Sequence, residues 1–370
     1  MEGMLPRAQR VVPVFDGDRL LAIRELIGGV QAEIAKAADI TPSALSQAER
    51  GLSNPTAATL ARLAEVLEVP VEAFSRRPGA TSDLNPQFRH LRRTPQRERR
   101  RALRLVEATD AILTALATRV RLPEAFGFEH SLDPGQSIET VANEIEIAAV
   151  QTRRALGVAP ENPLAVDPVE LLENHGIVVV RDPETDEDID AYSAAINDQP
   201  IVVLYGGSQS VWDRDNFNLA HELGHLVMHR GSNQRPGTKT AEQQAHRFAG
   251  AFLAPRDSFQ DEIPHDLDWG KYLELKIRWG LSMAALVHRA HDLGIMNDST
   301  YTRAMKQRSA YGWRRIEPGN DLRPLPQPSL LAKAAEVAGM SLTDIAALAG
   351  VPIAVAKRIL GSGPRPTVRV

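Results

Sequence analysis

Cysteine is absent from the 370 residues, so no disulfide can staple the fold and no thiolate can bind a metal. A metal site would have to be built from His, Asp or Glu. No apolar run approaches the length that spans a bilayer. The first residues lack the basic end and apolar stretch of a secretory signal. Charge of one sign is also missing: 43 Lys and Arg against 47 Asp and Glu leave a net charge of −4. The whole chain is therefore not a polycation for nonspecific nucleic-acid binding. Together these absences point to a cytoplasmic protein with no membrane partner.

What is present suits two or three domains, since 370 residues exceed one small core and 43% are hydrophobic. The charge is unevenly spread. Arg89, Arg92, Arg93, Arg97, Arg99, Arg100, Arg101 and Arg104 stand against the single acid Glu98. That segment reads either as a solvated helix face or as a source of phosphate contacts. The stretch 182–190 is acidic.

Periodicity divides the chain. Residues 1–18 show no steady period and read as a loose or edge segment. Short helices follow from Arg19 to Phe74, with Leu20, Ile23 and Ile27 on one stripe and Ile34 and Ala35 on the next. Asp39–Ile40 makes a tight turn, Thr41 caps a further helix with Pro42 at its first position, and Gly51 lies just past its end. A linker at Ser75–Asn85 precedes a long helix over 96–120. A second, proline-containing linker spans 121–136. Another helix runs from Ile138 to about Leu156. Then come a short helix, three strand candidates (177–180, 191–196 and 201–205, with Asn197–Asp198 as a turn), and two helices. Asn218 and Thr240 are the expected caps of those two. That order gives an α+β domain, with more helix over 268–290 and 327–360.

The segment "QAEIAKAADITPSALSQAERGLSNPTAATLARLAEVLEVP" resembles the lambda-repressor-like (Cro-type, XRE-like) helix-turn-helix family over about residues 19–74. Ala35 is small where two helices would cross, Ile40 fills the turn, and Leu45 is apolar on the next helix. The resemblance implies that this helix enters the major groove of operator DNA, with Ser43, Ala44, Ser46 and Gln47 near base edges. Ser43 and Gln47 are the base-contact candidates, Gln47 having the chemistry to pair with adenine in bidentate fashion. Gln31 and Arg50 are phosphate-contact candidates. Residues 19–79 hold seven basic and seven acidic side chains, so binding is not driven by charge alone, and a docking domain that never meets DNA is the competing reading. Palindromic operators imply a homodimer.

The sharpest motif is His221-Glu222-Leu223-Gly224-His225. On a helix the two histidines stand one turn apart on one face and can share one Zn²⁺. Glu222 is angularly offset and can act on a water beside the ion as general base, then as proton donor to a leaving amine. A third ligand is required, and Glu242 lies 17 residues after His225 on the next helix. "NFNLAHELGHLVMH" together with "EQQAHRFAGAFLAP" resembles the ImmA/IrrE metallopeptidases, over about residues 165–295. That family implies His221, His225 and Glu242 as metal ligands and Glu222 as the catalytic carboxylate. His229 and His246 are candidates to support the ligands or touch substrate; His229 is about 12 Å of helical rise from His221, too far to join the same ion. His246 stands where the family often has Asn, and Asn218 where it often has Thr. Structural zinc, metal binding without turnover, and no metal at all are the competing readings.

The expected architecture is multidomain. An all-α lambda-repressor-like helix-turn-helix domain (19–78) leads to linkers and a helical connector (79–160). An α+β gluzincin-like metallopeptidase domain (161–317) and a small helical C-terminal segment (318–370) follow. The last segment resembles a truncated helix-turn-helix, better suited to docking than to reading DNA. The resemblance implies a transcriptional regulator whose zinc endopeptidase cleaves a repressor-like protein or the chain itself. The alternative is a transcription factor whose second domain is a non-catalytic sensor or docking module. The two linkers are the candidate exposed sites for self-cleavage.

Overall fold

In a computed structural model the chain is described for residues 4–75, 95–127, 131–184, 189–207, 210–229, 238–264 and 266–361. Three of the first five helices start where a short polar side chain caps them. Helices α1 (Leu5–Val11), α2 (Gly17–Leu26), α3 (Gln31–Ala37), α4 (Pro42–Glu49) and α5 (Ala57–Val66) follow in order. Asp16 accepts from the Asp18 N–H at the start of α2, Thr41 from Ala44 at α4, and Thr56 from Thr59 at α5. Asp39 takes φ 54° in the turn between α3 and α4, a left-handed conformation that Asp tolerates better than most residues. Leu20, Ile23, Ala35, Leu45, Leu60 and Phe74 form the core of this bundle.

The amino-terminal segment is not loose. Residues Leu5–Val11 are helical, and Ala8 and Val11 are buried in that same core. Sequence periodicity missed this helix because about two turns offer too few apolar repeats to count. The bundle is closed by a bridge between Phe15 and Ser75, beside the Asp16 N–H donating to the Phe74 carbonyl.

Helix α6 (Gln96–Ala117) buries Leu105, Val106, Ile112 and Leu116 and packs against α2. Two of its arginines are spent on that contact: Arg100 and Arg104 pair with Glu25 at 2.8 and 3.0 Å. Arg89, Arg92 and Arg93, and nearly all of the first linker, lie outside the described residues.

The second unit comprises the described residues between 123 and 328. It holds α7 (Ile138–Ala155), α8 (Pro168–Asn174), β1 (Val178–Asp182), β2 (Ala191–Ile196), β3 (Gln199–Tyr205), α9 (Trp212–Met228) and α10 (Lys239–Leu253). Helices α11 (Arg256–Phe259), α12 (Trp269–Trp279), α13 (Met283–Asp292) and α14 (Asp298–Ala310) follow. The strands form one sheet in the order β1-β3-β2, with β1 parallel and β2 antiparallel to β3. Asn197 and Asp198 both have positive φ (49° and 66°), the tight hairpin turn that their side chains favour. Helices α7 and α9 both pack on α10, and α9 also packs on β2 and β3.

Three local expectations are corrected. Helix α9 begins at Trp212, six residues before Asn218, so Asn218 is mid-helix; Asp213 and Asp215 in the first turn suit the helix dipole instead of a side-chain cap. The cap of α10 is Thr238, whose hydroxyl accepts from Ala241, and Thr240 sits inside the first turn. The described residues of 121–136 are stitched down instead of forming a free linker. Phe126 donates to the His175 carbonyl and Leu132 to that of Met228, while Thr238 and Thr240 both donate to the Pro134 carbonyl.

Buried ion pairs mark the interior of this unit. Arg289 binds both oxygens of Glu146 at 2.7 Å, and Arg247 reaches Glu146 at 3.1 Å. Lys276 meets Asp213 at 2.9 Å. No described helix is long and apolar enough to cross a membrane.

Helices α15 (Leu330–Ala338), α16 (Leu342–Ala349) and α17 (Ile353–Leu360) belong with the first unit, together with described residues 4–75 and 95–122. They pack on α6, and Arg19 of α2 donates to the Gly350 carbonyl at 3.1 Å. Ser341 and Asp344 form a reciprocal capping box at α16.

Candidate metal centre and nucleic-acid face

The motif helix works because of what lies between its histidines. Leu223 is fully buried in the core. Gly224 faces α10 so closely that a Cβ there would come within 2.9 Å of the Phe248 ring. That close approach lets Glu242, in the first turn of α10, reach across to α9. His221 Nε2 and His225 Nε2 are 3.2 Å apart, and each lies within 3.2 Å of a Glu242 carboxylate oxygen (3.2 and 3.1 Å). Among the described residues these three form a group able to hold a metal ion.

The donor set fits such an ion. Tetrahedral bonds of about 2.0–2.1 Å place ligand atoms about 3.3 Å apart, close to the spacing found. The hydrogen-bond network behind His225 also fits. Gln244 Nε2 donates to the carbonyls of Asp133 and Gln136, so its Oε1 faces His229 Nε2 at 2.7 Å and accepts that proton. His229 Nδ1 is then the acceptor for His225 Nδ1–H at 3.0 Å. By this assignment His225 Nε2 carries a lone pair and points into the triad. Burial holds the His229 pKa below its ordinary value, which keeps the ring neutral as the relay requires. His229 therefore supports His225 from behind. Gln244 went unread in the sequence; its three amide partners come from segments far away along the chain.

Glu222 does not join the triad edge. It is buried, and the Ser193 hydroxyl on β2 donates to its Oε2 at 2.6 Å. Burial pushes its carboxyl up to about 7, against the lowering effect of the Ser193 hydroxyl and N–H. Ser193 too was invisible in sequence, because its contact spans 29 residues.

The triad opens into a cleft of about 960 Å³. Arg214, Asn218 and Phe217 of α9 line it, with His246 of α10, His288 of α13 and Tyr301 of α14. His246 packs between the rings of Phe217 (4.8 Å) and His288 (4.6 Å). Burial, with His288 nearby, takes its pKa down to about 4, so the ring is neutral.

In the first unit, Ser43, Ala44 and Gln47 are exposed on α4, Ser46 is half-buried, and Arg50, just past the helix end, is exposed. Gln31 is engaged: its amide donates to Glu49 at 2.8 Å, and Arg24 pairs with the same carboxylate. Glu49 is buried, so Gln31 and Arg24 brace the base of α4. The Arg50 Nε donates to the Ser46 carbonyl.

Two family models match. "Helix-turn-helix" covers residues 20–74, and "IrrE N-terminal-like domain" covers residues 172–291, which include the triad and Glu222. The chain joins an XRE-like helix-turn-helix domain to an IrrE-like peptidase domain. A solved Mycobacterium tuberculosis transcriptional regulator is similar at 18% identity and a TM-score of 0.29, over 50% of this chain and 51% of that regulator. The match thus spans about half the regulator's length. No curated protein matches the chain. The IrrE-like domain carries the His-His-Glu group between α9 and α10, and the helix-turn-helix domain carries the exposed face of α4.

Proposed function

We propose that this protein is a cytoplasmic, DNA-binding transcriptional regulator whose IrrE-like domain is a gluzincin-like zinc endopeptidase. Its substrate is a repressor-like protein or the chain itself. The carrying observation is the placement of Glu222. It is a buried carboxylate adjacent in sequence to His221, held by Ser193 and lining the same cleft as the triad. A structural zinc site has no use for such a group, whereas a hydrolytic site needs one.

In this reading His221, His225 and Glu242 hold Zn²⁺. The ion supplies Lewis acidity toward a water and the peptide carbonyl. Glu222 takes the proton of the attacking water on its carboxylate and passes it to the leaving amine; a pKa raised by burial suits both halves of that exchange. Ser193 keeps the carboxylate aimed. His229, through Gln244, holds the His225 ring, and His246 forms part of the substrate wall.

The first unit reads operator DNA as a homodimer in this proposal. Ser43, Ala44, Ser46 and Gln47 face the bases, while Arg50 and Gln31 lie toward phosphates. Along the sequence the proposed divisions are 19–78 for the DNA reader, 79–160 for the connector, 161–317 for the peptidase and 318–370 for the helical extension, although the described residues of 123–160 fold with the second unit and those of 329–361 with the first. Elemental analysis of the purified chain tests the metal site. About one zinc per chain is expected, with a clear loss in Glu242→Ala. A folded, zinc-reconstituted parent that holds no metal would end the peptidase reading and leave a regulator with a sensor-like second domain.

A further inference from the structure

The cleft wall holds a half-buried cation, Arg214, that no described anion answers. Of the other Lys and Arg side chains lining it, Arg247 rests on Glu146 and Arg308 on Glu317, while Lys239, Arg314 and Arg315 are exposed to water. Arg214 is half-buried in the same wall. Among the described residues it makes neither an ion pair nor a side-chain hydrogen bond. A guanidinium drawn partly out of water without an anion is unfavourable, and its planar fork matches a carboxylate.

Its position on α9 is also ordered. Arg214, Asn218, His221 and His225 follow one another at spacings of four, three and four residues, so they form one stripe along the helix. Arg214 is seven residues before His221, or about 10 Å along the axis. An extended peptide advances about 3.3 Å per residue, so that distance is about three residues of substrate. Strand β2 borders the same cleft through Ala191 and is an edge of the described sheet, where a peptide can lie extended.

We propose that Arg214 forms a carboxylate-binding subsite. It selects an Asp or Glu side chain about three residues from the bond that is cut. The proposal rests on the peptidase reading for the word "cut", but the subsite itself is a binding claim.

The test uses the full zinc-loaded chain and quenched-fluorescent decapeptides. A single Glu is walked through every position of a neutral sequence, with Gln at the same position as control. One register about three residues from the cleaved bond should show a Glu preference in kcat/KM of about 10- to 100-fold, the size of a charged hydrogen bond. Arg214→Gln should erase that ratio, and Arg214→Glu should transfer the preference to Lys. Circular dichroism checks that both variants fold. The same peptides are titrated by anisotropy into Glu222→Gln, which requires no turnover. Cleavage without any Glu preference, or a preference that survives Arg214→Gln, overturns the subsite and leaves the peptidase reading standing. Glu-selective binding that depends on Arg214, with no cleavage by the parent, supports the subsite and removes the peptidase reading. The absence of both cleavage and Glu-selective binding overturns the subsite.

Discussion

The two units place their functional residues in opposite ways. On α4 the DNA-facing candidates are exposed side chains on a short helix, and the structural effort lies behind them, where Arg24 and Gln31 hold the buried Glu49. In the second unit the key groups are themselves enclosed. His221, His225 and Glu222 are all buried, and their aim depends on Ser193 and Gln244, drawn from other elements. A reading surface needs rigid presentation and open access. A hydrolytic centre needs fixed donors and restricted water. Substitutions should therefore act broadly in the second unit and narrowly in the first.

The sharpest way to break this contrast is Glu222→Gln. Peptide cleavage should fall by about 10²- to 10⁴-fold, the share of a general base, while operator affinity in a gel-shift titration stays within twofold. A matching loss of DNA binding would show that the units do not divide the labour. Next in size is Glu146→Ala, which leaves Arg289 buried without its carboxylate and removes the partner of Arg247. It should cost the second unit about 3–5 kcal/mol. Calorimetry should show one transition moving down and the other staying put.

A third effect has a defined sign. In metal-free protein the Glu222 carboxyl sits at about 7, raised by burial from 4.5. A raised carboxylate pKa contributes stability that is full below about pH 4.5 and is lost as pH rises through about 7. Glu222→Gln has no such term. Its advantage in unfolding free energy over the parent should therefore be larger, by about 3 kcal/mol, at pH 8 than at pH 4.5, measured by denaturant titration. An advantage that does not change with pH would contradict the burial of that charge. Smaller still, Gln244→Ala should weaken zinc affinity by about 10- to 100-fold in a chelator competition. Retained affinity would mean that the His229 relay does not orient His225. At the bottom, Gln47→Ala should lose about 1–3 kcal/mol of discrimination at one operator base pair, read by binding to substituted duplexes, with zinc content unchanged.

How much the sequence disclosed follows the same division. The helix-turn-helix was legible because its signals are local: Thr41 capping α4 and the Leu60–Leu63 stripe lie within a few residues of what they control. The helix at Leu5–Val11 escaped because it is short and its partners, α5 and residues 71–74, come much later. The histidine pair was legible from the helical repeat, whereas Glu242 as a partner needed the family resemblance. Ser193, Gln244 and Arg214 stayed hidden. The first two owe their roles to contacts across 29 and 15 residues, and Arg214 is marked only by a missing counter-charge. The misplaced caps at Asn218 and Thr240 share one cause. Both are good capping residue types, but Asn218 lies within α9, which has no side-chain cap, and Thr240 lies two residues past the true cap, Thr238.

The packing of the last three helices on α6 has a consequence for synthesis. A ribosome delivers α6 early and its partners α15–α17 about 210 residues later. At about 5–20 residues per second the delay is about 10–40 s. Throughout that interval α6 lacks the helices that will cover part of its surface. The DNA-reading unit is completed only after the peptidase-like unit has already been made.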